Sequence, residues 1–178
     1  MPMTEKHALI VIAPQDFQDE ELSKTIKELE KKNILYTIIS SREGLAVGMN
    51  GGKILIDKTI SDFSNSTDTY AALIIIGGSG TPATLWNNKK LHALVTEYYK
   101  QQKIVAAICL APIVLARTGI LQGKSATVFY DDPILAELKK GGAKYMGSPV
   151  VVDGTIITAN GPSAAPAFGE KIAKAITA

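Results

Sequence analysis

Apolar residues recur along this chain at two different periods, and the switches between them predict the elements. Residues 7–13 form a short continuous apolar run, the pattern of a strand buried on both faces. Residues 14–18 break it. Over 19–32 the period lengthens, with Leu22, Ile26 and Leu29 on one stripe behind the acids Asp19, Glu20 and Glu21; this predicts a helix with a negatively charged first turn. Residues 34–40 read as the next strand and complete a βαβ opening. Residues 41–53, with Gly44, Gly48, Gly51 and Gly52, read as irregular, 54–56 as a short strand and 61–69 as a polar loop.

The second half repeats the alternation. Residues 71–76 predict a strand that runs into Gly77-Gly78-Ser79-Gly80, after which Pro82 opens a short helical turn. Residues 88–102 predict a helix on Leu91, Leu94, Val95 and Tyr98. A strand over 103–108 and a helix over 110–117 follow, then a strand over 124–129 and a helix over 133–140. Residues 150–152 and 155–158 flank Asp153-Gly154, a strong hairpin signal. The chain closes on an amphipathic helix over 163–176, with Ala164, Phe168, Ile172 and Ala175 as its stripe. No repeat or linker interrupts the pattern, so one α/β domain over 1–178 is expected, with a mostly parallel sheet and helices on both faces.

Composition narrows the function classes. The net charge is +2, from 19 basic and 17 acidic residues that are scattered rather than clustered, so no field selects nucleic acid. No apolar run is long enough to span a membrane, and residues 1–6 do not read as a leader. A soluble, cytoplasmic protein is expected. The single cysteine excludes an internal disulfide, and one cysteine with two separated histidines fits no zinc spacing. No cofactor is expected.

That cysteine is the most informative residue. Cys109 falls between a strand and a helix, and no Gly, Asn or Asp is present there to form a loop. Such a corner strains its residue and pushes the side chain out at the sheet's carboxyl edge. It also aims free N–H groups and a helix dipole at the sulfur, which favours thiolate. The bland alternative is a small buried hydrophobe. Gly77-Gly78 also end a strand, and Glu21 follows another. Catalytic groups of open α/β sheets gather at that edge, so the three can share one crevice. Gly77 and Gly78 are either a plain turn or a close approach of backbone to substrate oxygen, in which case the N–H groups of Gly78 and Leu110 form an oxyanion hole. Periodicity does not choose among Asp19, Glu20 and Glu21.

Gly78-Ser79-Gly80-Thr81-Pro82-Ala83 matches the dinucleotide fingerprint only weakly. The next strand ends in Cys109 rather than an acid, and Pro82 occupies the turn. His7 precedes the first strand, at the opposite edge from Cys109, and His92 lies beside the Leu91 stripe near the surface; neither is placed to serve as the base of a cysteine protease.

Four segments together resemble the DJ-1/PfpI superfamily: Asp16-Phe17-Gln18-Asp19-Glu20-Glu21-Leu22, Ile76-Gly77-Gly78, Ala106-Ala107-Ile108-Cys109 and Asn160-Gly161-Pro162. The resemblance implies a flavodoxin-like three-layer sandwich with glutamine amidotransferase-like topology and a cysteine nucleophile elbow, and a homodimer or a higher homo-oligomer. It matches Cys109 to the elbow cysteine, Glu21 to the acid that hydrogen-bonds the sulfur, and Gly78 and Leu110 to the oxyanion donors, with Gly77 beside them. A protonated Glu21 is implied, since an ionised one would repel a thiolate. Two positions depart from the pattern. Leu110 stands where the peptidase branch has histidine. Phe129, followed by Tyr130, stands where carbonyl-acting branches often have one, which leaves Tyr130, Asp131 or a partner subunit to replace it. The expected activity is therefore glyoxalase- or deglycase-like chemistry on small reactive carbonyls. The alternatives are a peroxide-sensing protein using Cys109 oxidation and, disfavoured by Leu110, a cysteine peptidase or amidase.

Overall fold

The computed structural model describes residues 6–63 and 69–178. The first half holds β1 (His7–Val11), β2 (Gln15–Phe17), α1 (Asp19–Lys31), β3 (Leu35–Ile39), β4 (Gly44–Gly48) and β5 (Lys53–Ile56). The middle holds β6 (Ala72–Ile75), α2 (Thr81–Thr84), α3 (Lys89–Lys100), β7 (Ile104–Ile108) and α4 (Pro112–Thr118). The last part holds β8 (Ser125–Ala126), α5 (Asp132–Lys140), β9 (Lys144–Tyr145), β10 (Val150–Asp153), β11 (Ile156–Ala159) and α6 (Ala165–Thr177).

The apolar runs at β1, β6, β7 and β11 become the centre of a six-stranded sheet of order β10-β11-β7-β6-β1-β3. All neighbours are parallel except β10, which pairs antiparallel at one edge. Continuous burial explains the continuous apolar pattern, because helices cover both faces. α1 packs on α6, while α3, α4 and α5 pack in sequence on one another. The α1–α6 approach is close at Gly169, where a Cβ would meet Glu28 Cβ at 2.9 Å. Lys6 Nζ donates to Ile176 O at 2.8 Å, near the carboxyl end of α6. No described helix is long and apolar enough to cross a membrane.

Register decides what the sheet presents. Val11 lies beside Ile39 and Ile75, and Ile75 beside Ala107. The chain after β1, β6 and β7 therefore leaves the sheet along one edge. β3 and β6 lie on opposite sides of β1, so the strand order reverses there, the place where open α/β sheets build their sites.

Several local expectations need correction. Residues 14–18 contain β2, and 41–53 contain β4, which pairs antiparallel with β5 and parallel with β2. The four glycines there read as breakers, but Gly44 and Gly48 bound β4 and Gly51 and Gly52 turn it into β5. The Asp19 carboxylate holds that turn, accepting from Asn50 N and Gly52 N at 2.7 Å each. Residues 124–129 do not join the main sheet. Their N–H groups go to Asp153 Oδ2 (from Ser125), Thr158 Oγ1 (from Thr127) and Cys109 O (from Phe129), and only β8 pairs, with β9. On α6 the buried positions are Ala165, Phe168, Gly169, Ile172, Ala173 and Ile176, and Ala175 is exposed. The loop expected over 61–69 starts as a 3₁₀ turn at Ile60–Phe63; its residues 64–68, and residues 1–5 of the segment read for a leader, lie outside the described residues.

Candidate active site

The corner after β7 is strained as the sequence implies. Cys109 has φ +65°, a conformation that costs a non-glycine residue roughly 1–3 kcal/mol. Both of its backbone groups are held: its N–H donates to Ala159 O at 2.9 Å, and its carbonyl accepts from Phe129 N at 2.9 Å. One bond comes from the neighbouring strand and one from the segment behind, so the corner is fixed from two sides. The helix, expected from Leu110, begins at Pro112, and Leu110 and Ala111 form the turn.

Two backbone N–H groups, from Gly78 and Leu110, lie near enough to the Cys109 sulfur to favour its thiolate. Gly78 has φ +120°, and a Cβ there would fall 2.6 Å from Gln18 N and closer still to Asp16 O. At Gly77 a Cβ would lie 2.7 Å from Cys109 Cβ and 2.8 Å from Glu21 Oε1. The pair is therefore more than a turn: no side chain fits between the carboxyl, the thiol and the β2 backbone.

Three consecutive acids open α1, and the fold gives each a different task. Gln18 caps the helix, its Oε1 accepting from Glu20 N (2.7 Å) and Glu21 N (3.1 Å). Asp19 turns to the β4–β5 loop. Glu20 is exposed and pairs with Lys24 at 3.1 Å. Glu21 is fully buried, and its Oε1 accepts from Gly77 N at 2.9 Å. Its Oε2 closes no hydrogen bond of full geometry, although the carboxyl group is near enough to the thiol for each to shift the other's titration. Burial raises the Glu21 pKa from 4.5 to about 7, against the lowering effects of the Gly77 N–H and the thiol.

The thiol departs from expectation. Burial, and then the charge and hydrogen bonding of Glu21, push the Cys109 pKa up; the Leu110 and Gly78 N–H groups only partly oppose this. The helix dipole is too remote to reverse the balance, because α4 starts three residues further on and is short. Around neutral pH it is therefore the carboxyl that titrates, and its charge in turn holds the proton on the sulfur.

Above the sulfur lies a cavity of about 310 Å³ lined by Gln18, Met49, Gly78, Ser79, Cys109, Leu110, Phe129 and Pro162. Phe129 is on its wall, whereas Tyr130 is exposed and does not line it. Asp131 is exposed too. A larger cavity, about 680 Å³, lies at the amino ends of the strands and contains neither Cys109 nor Glu21. The histidines are engaged elsewhere: His7 Nε2 meets Thr37 Oγ1 at 2.8 Å, and His92 Nε2 donates to Trp86 O at 2.7 Å.

The dinucleotide motif is consumed by the fold. Gly77 N goes to Glu21, Ser79 N to Met49 Sδ at 3.4 Å, Gly80 N to Asp16 O at 3.1 Å and Thr81 N to Gly78 O at 3.1 Å, while the Gly78 N–H faces the sulfur. Most of its amides are therefore engaged within the fold, and α2 spans only four residues, too short to present a phosphate site.

Sequence reasoning missed Met49 and Trp86, and named Ser79 and Pro162 only within their motifs. Met49 reaches the cavity only because Asp19 anchors the β4–β5 turn. Trp86 Nε1 donates to Leu110 O at 2.9 Å, and Arg117 stacks 4.9 Å from its ring. Gln18 lay within the Asp16–Leu22 motif, but its capping role needed the helix boundary.

Comparison with known proteins supports the fold. A family model described as DJ-1/PfpI family matches residues 6–175. A protein of Methanocaldococcus jannaschii, described as uncharacterized, is 48% identical over 174 residues, covering 98% of this chain and 84% of its own length. The Bacillus subtilis "Putative cysteine protease YraA" is 32% identical, with coverages of 92% and 94%, and the Pyrococcus furiosus "Deglycase PfpI" is 25% identical, with coverages of 86% and 90%. The crystal structure of a ThiJ/PfpI domain protein from Brachyspira murdochii superposes with a TM-score of 0.90 at 30% identity, over 96% of both chains. A match along nearly the whole length, on the same mostly parallel sheet, leaves one conclusion: this chain belongs to the DJ-1/PfpI family.

Proposed function

We propose that the chain is a cysteine-dependent enzyme acting on small reactive carbonyls, in the glyoxalase or deglycase manner. The observation that carries the reading is the setting of Cys109: two N–H donors on one side, a buried carboxyl on the other, and a cavity of small-molecule size above. As the sulfur adds to an aldehyde carbon, a C–S bond forms, the carbonyl π pair moves to oxygen, and the thiol proton passes to the Glu21 carboxylate. The Gly78 and Leu110 N–H groups face the developing alkoxide. Glu21 then returns the proton to that oxygen, leaving a hemithioacetal. A carboxyl with a pKa of about 7 can both accept and donate at neutral pH. For a 2-oxoaldehyde, Glu21 next carries the hemithioacetal C–H proton to the adjacent carbonyl carbon while the hemithioacetal hydroxyl proton moves to the adjacent carbonyl oxygen, giving a 2-hydroxy thioester. Water cleaves it to a 2-hydroxy acid and restores the thiol, so the net reaction converts oxoaldehyde plus water into the 2-hydroxy acid.

The name of the Pyrococcus furiosus relative supports this reading, and that of the Bacillus subtilis relative points to peptide hydrolysis. Peptidase chemistry is disfavoured because the residue after the cysteine is Leu110 and both histidines are bonded away from it. A second reading, peroxide sensing, draws on the lone cysteine. Peroxide would convert the thiol to a sulfenic acid and release water, and the chain has no second cysteine to trap it as an internal disulfide.

Methylglyoxal consumption by wild type, Cys109→Ser and Glu21→Gln separates these readings. The enzyme reading expects turnover by wild type, loss to background in Cys109→Ser and a drop of about a hundredfold or more in Glu21→Gln. Full turnover by Cys109→Ser would remove Cys109 from the mechanism. No turnover together with oxidation at low peroxide would leave the sensor.

A further inference from the structure

We infer that the cavity over Cys109 selects uncharged carbonyl compounds with an aryl- or branched-alkyl-sized body, and that Phe129 and Met49 receive that body. The inference rests on the carbonyl-acting reading and adds the substrate class. The 310 Å³ volume lies at the small end of ligand pockets, enough for a ring-sized group beside the reacting carbon. Cys109 is the only ionisable side chain among the residues lining it, and the polar side chains there are Gln18 and Ser79. An anionic carbonyl such as glyoxylate would leave water without meeting a cation on that lining, a cost an uncharged body does not incur.

The walls make the positive case. Phe129 and Met49 are large apolar side chains left 42% and 47% exposed at the rim, and a substrate that covers them gains the burial the fold has not used. Both are positioned by the fold. The Phe129 N–H holds the Cys109 carbonyl at 2.9 Å, and Met49 Sδ accepts from Ser79 N at 3.4 Å, beside Gly78. The Phe129 ring therefore stands next to the corner that carries the nucleophile. Because its anchor is a backbone bond, replacing the side chain leaves the corner tied.

The test has two arms. The first measures kcat/KM for phenylglyoxal, methylglyoxal and glyoxylate in wild type and Phe129→Ala, with Phe129→Leu as a second variant should the alanine protein fold poorly. Phenylglyoxal is expected to lead methylglyoxal by about tenfold or more, with glyoxylate slowest, and loss of the ring is expected to compress that order. The second arm needs no turnover. It compares alkylation of Cys109 by N-benzyliodoacetamide, iodoacetamide and iodoacetate, each normalised to its rate with a free thiol. The benzyl reagent is expected to be fastest and the anion slowest, with the spread narrowed in Phe129→Ala. Equal normalised rates, or iodoacetate ahead, overturn the inference even if oxoaldehydes turn over. If the labelling order holds and no oxoaldehyde is consumed, the carbonyl reading fails and the selectivity of the cavity stands.

Discussion

The two ends of the sheet make opposite uses of the same backbone conformation. At the amino end, Asn33 (φ +55°) and Gln102 (φ +58°) follow α1 and α3. Each closes its helix with a paired turn, Ile34 N to Leu29 O at 3.0 Å and Lys103 N to Tyr98 O at 3.0 Å, the ordinary left-handed helix stop. At the carboxyl end, Cys109 (φ +65°) is buried, ends a strand rather than a helix, and is pinned by bonds to Ala159 and Phe129. Left-handed backbone alone marks nothing. What distinguishes the carboxyl end is that a strained residue, a buried carboxyl and two N–H groups converge on one sulfur. Cavity size points the other way, since the larger opening lies at the amino end; chemistry, not volume, locates the site.

Substitutions at the two ends should separate these uses. Gly78→Ala should be the most damaging to the fold, at about 3 kcal/mol or more, because the new Cβ meets the β2 backbone at a left-handed φ. Gln102→Gly, at an exposed turn of the amino end, should change stability by less than about 1 kcal/mol. Urea denaturation of both compares them directly, and equal losses would erase the contrast.

Glu21 gives the next largest effect, through pH. Its folded pKa of about 7 lies above the usual 4.5, so as pH rises the unfolded chain releases this proton first. The stability contributed by the protonated carboxyl is complete below pH 4.5 and is lost as pH climbs through about 7, amounting to about 3 kcal/mol. Glu21→Gln, which cannot ionise, should be more stable than wild type at pH 8 by up to that amount and nearly equal to it at pH 4.5. Chemical denaturation across this range checks the sign; a gap that widens toward low pH would mean the carboxylate is stabilised by its site.

The smallest effect concerns Trp86. Trp86→Phe keeps the ring under Arg117 but removes the N–H donated to Leu110 O. The expected cost is about 1 kcal/mol, read as a small drop in Tm, with a modest slowing of Cys109 alkylation as the Leu110 turn loosens. Unchanged labelling would mean that the corner is set by Ala159 and Phe129 alone.

Much of this was legible in the chain because the centre of the fold is built from local signals. The apolar runs that became β1, β6 and β7 are buried on both faces and read as such, and the lack of loop residues around Cys109 reported the corner. The three acids were another matter. Asp19 lies three residues before Leu22 and Glu21 eight before Leu29, both helical spacings to the stripe, and only the packing of α1 on Gly77 and on the β4–β5 turn assigns one to the sulfur and the other to Asn50 and Gly52. Residues 124–129 failed for a related reason. Their alternation fits a strand, but the acceptors for their N–H groups are the Asp153 and Thr158 side chains and the Cys109 carbonyl, all fixed by tertiary contacts. The direction of the thiol's pKa was misread because the sequence shows the donors around the sulfur and not its burial or the charge of Glu21.

The central claim is that ionisation of Glu21 controls the Cys109 thiol, and the most direct test is the pH dependence of Cys109 alkylation by iodoacetamide in wild type and Glu21→Gln. With a single cysteine the rate needs no deconvolution. The account predicts a wild-type profile that bends near pH 7, rising less steeply above it as Glu21 ionises and holds the thiol proton, and a variant profile with a single step and no bend. Superimposable single-step profiles would contradict it, leaving a buried cysteine with an uncoupled acid beside it.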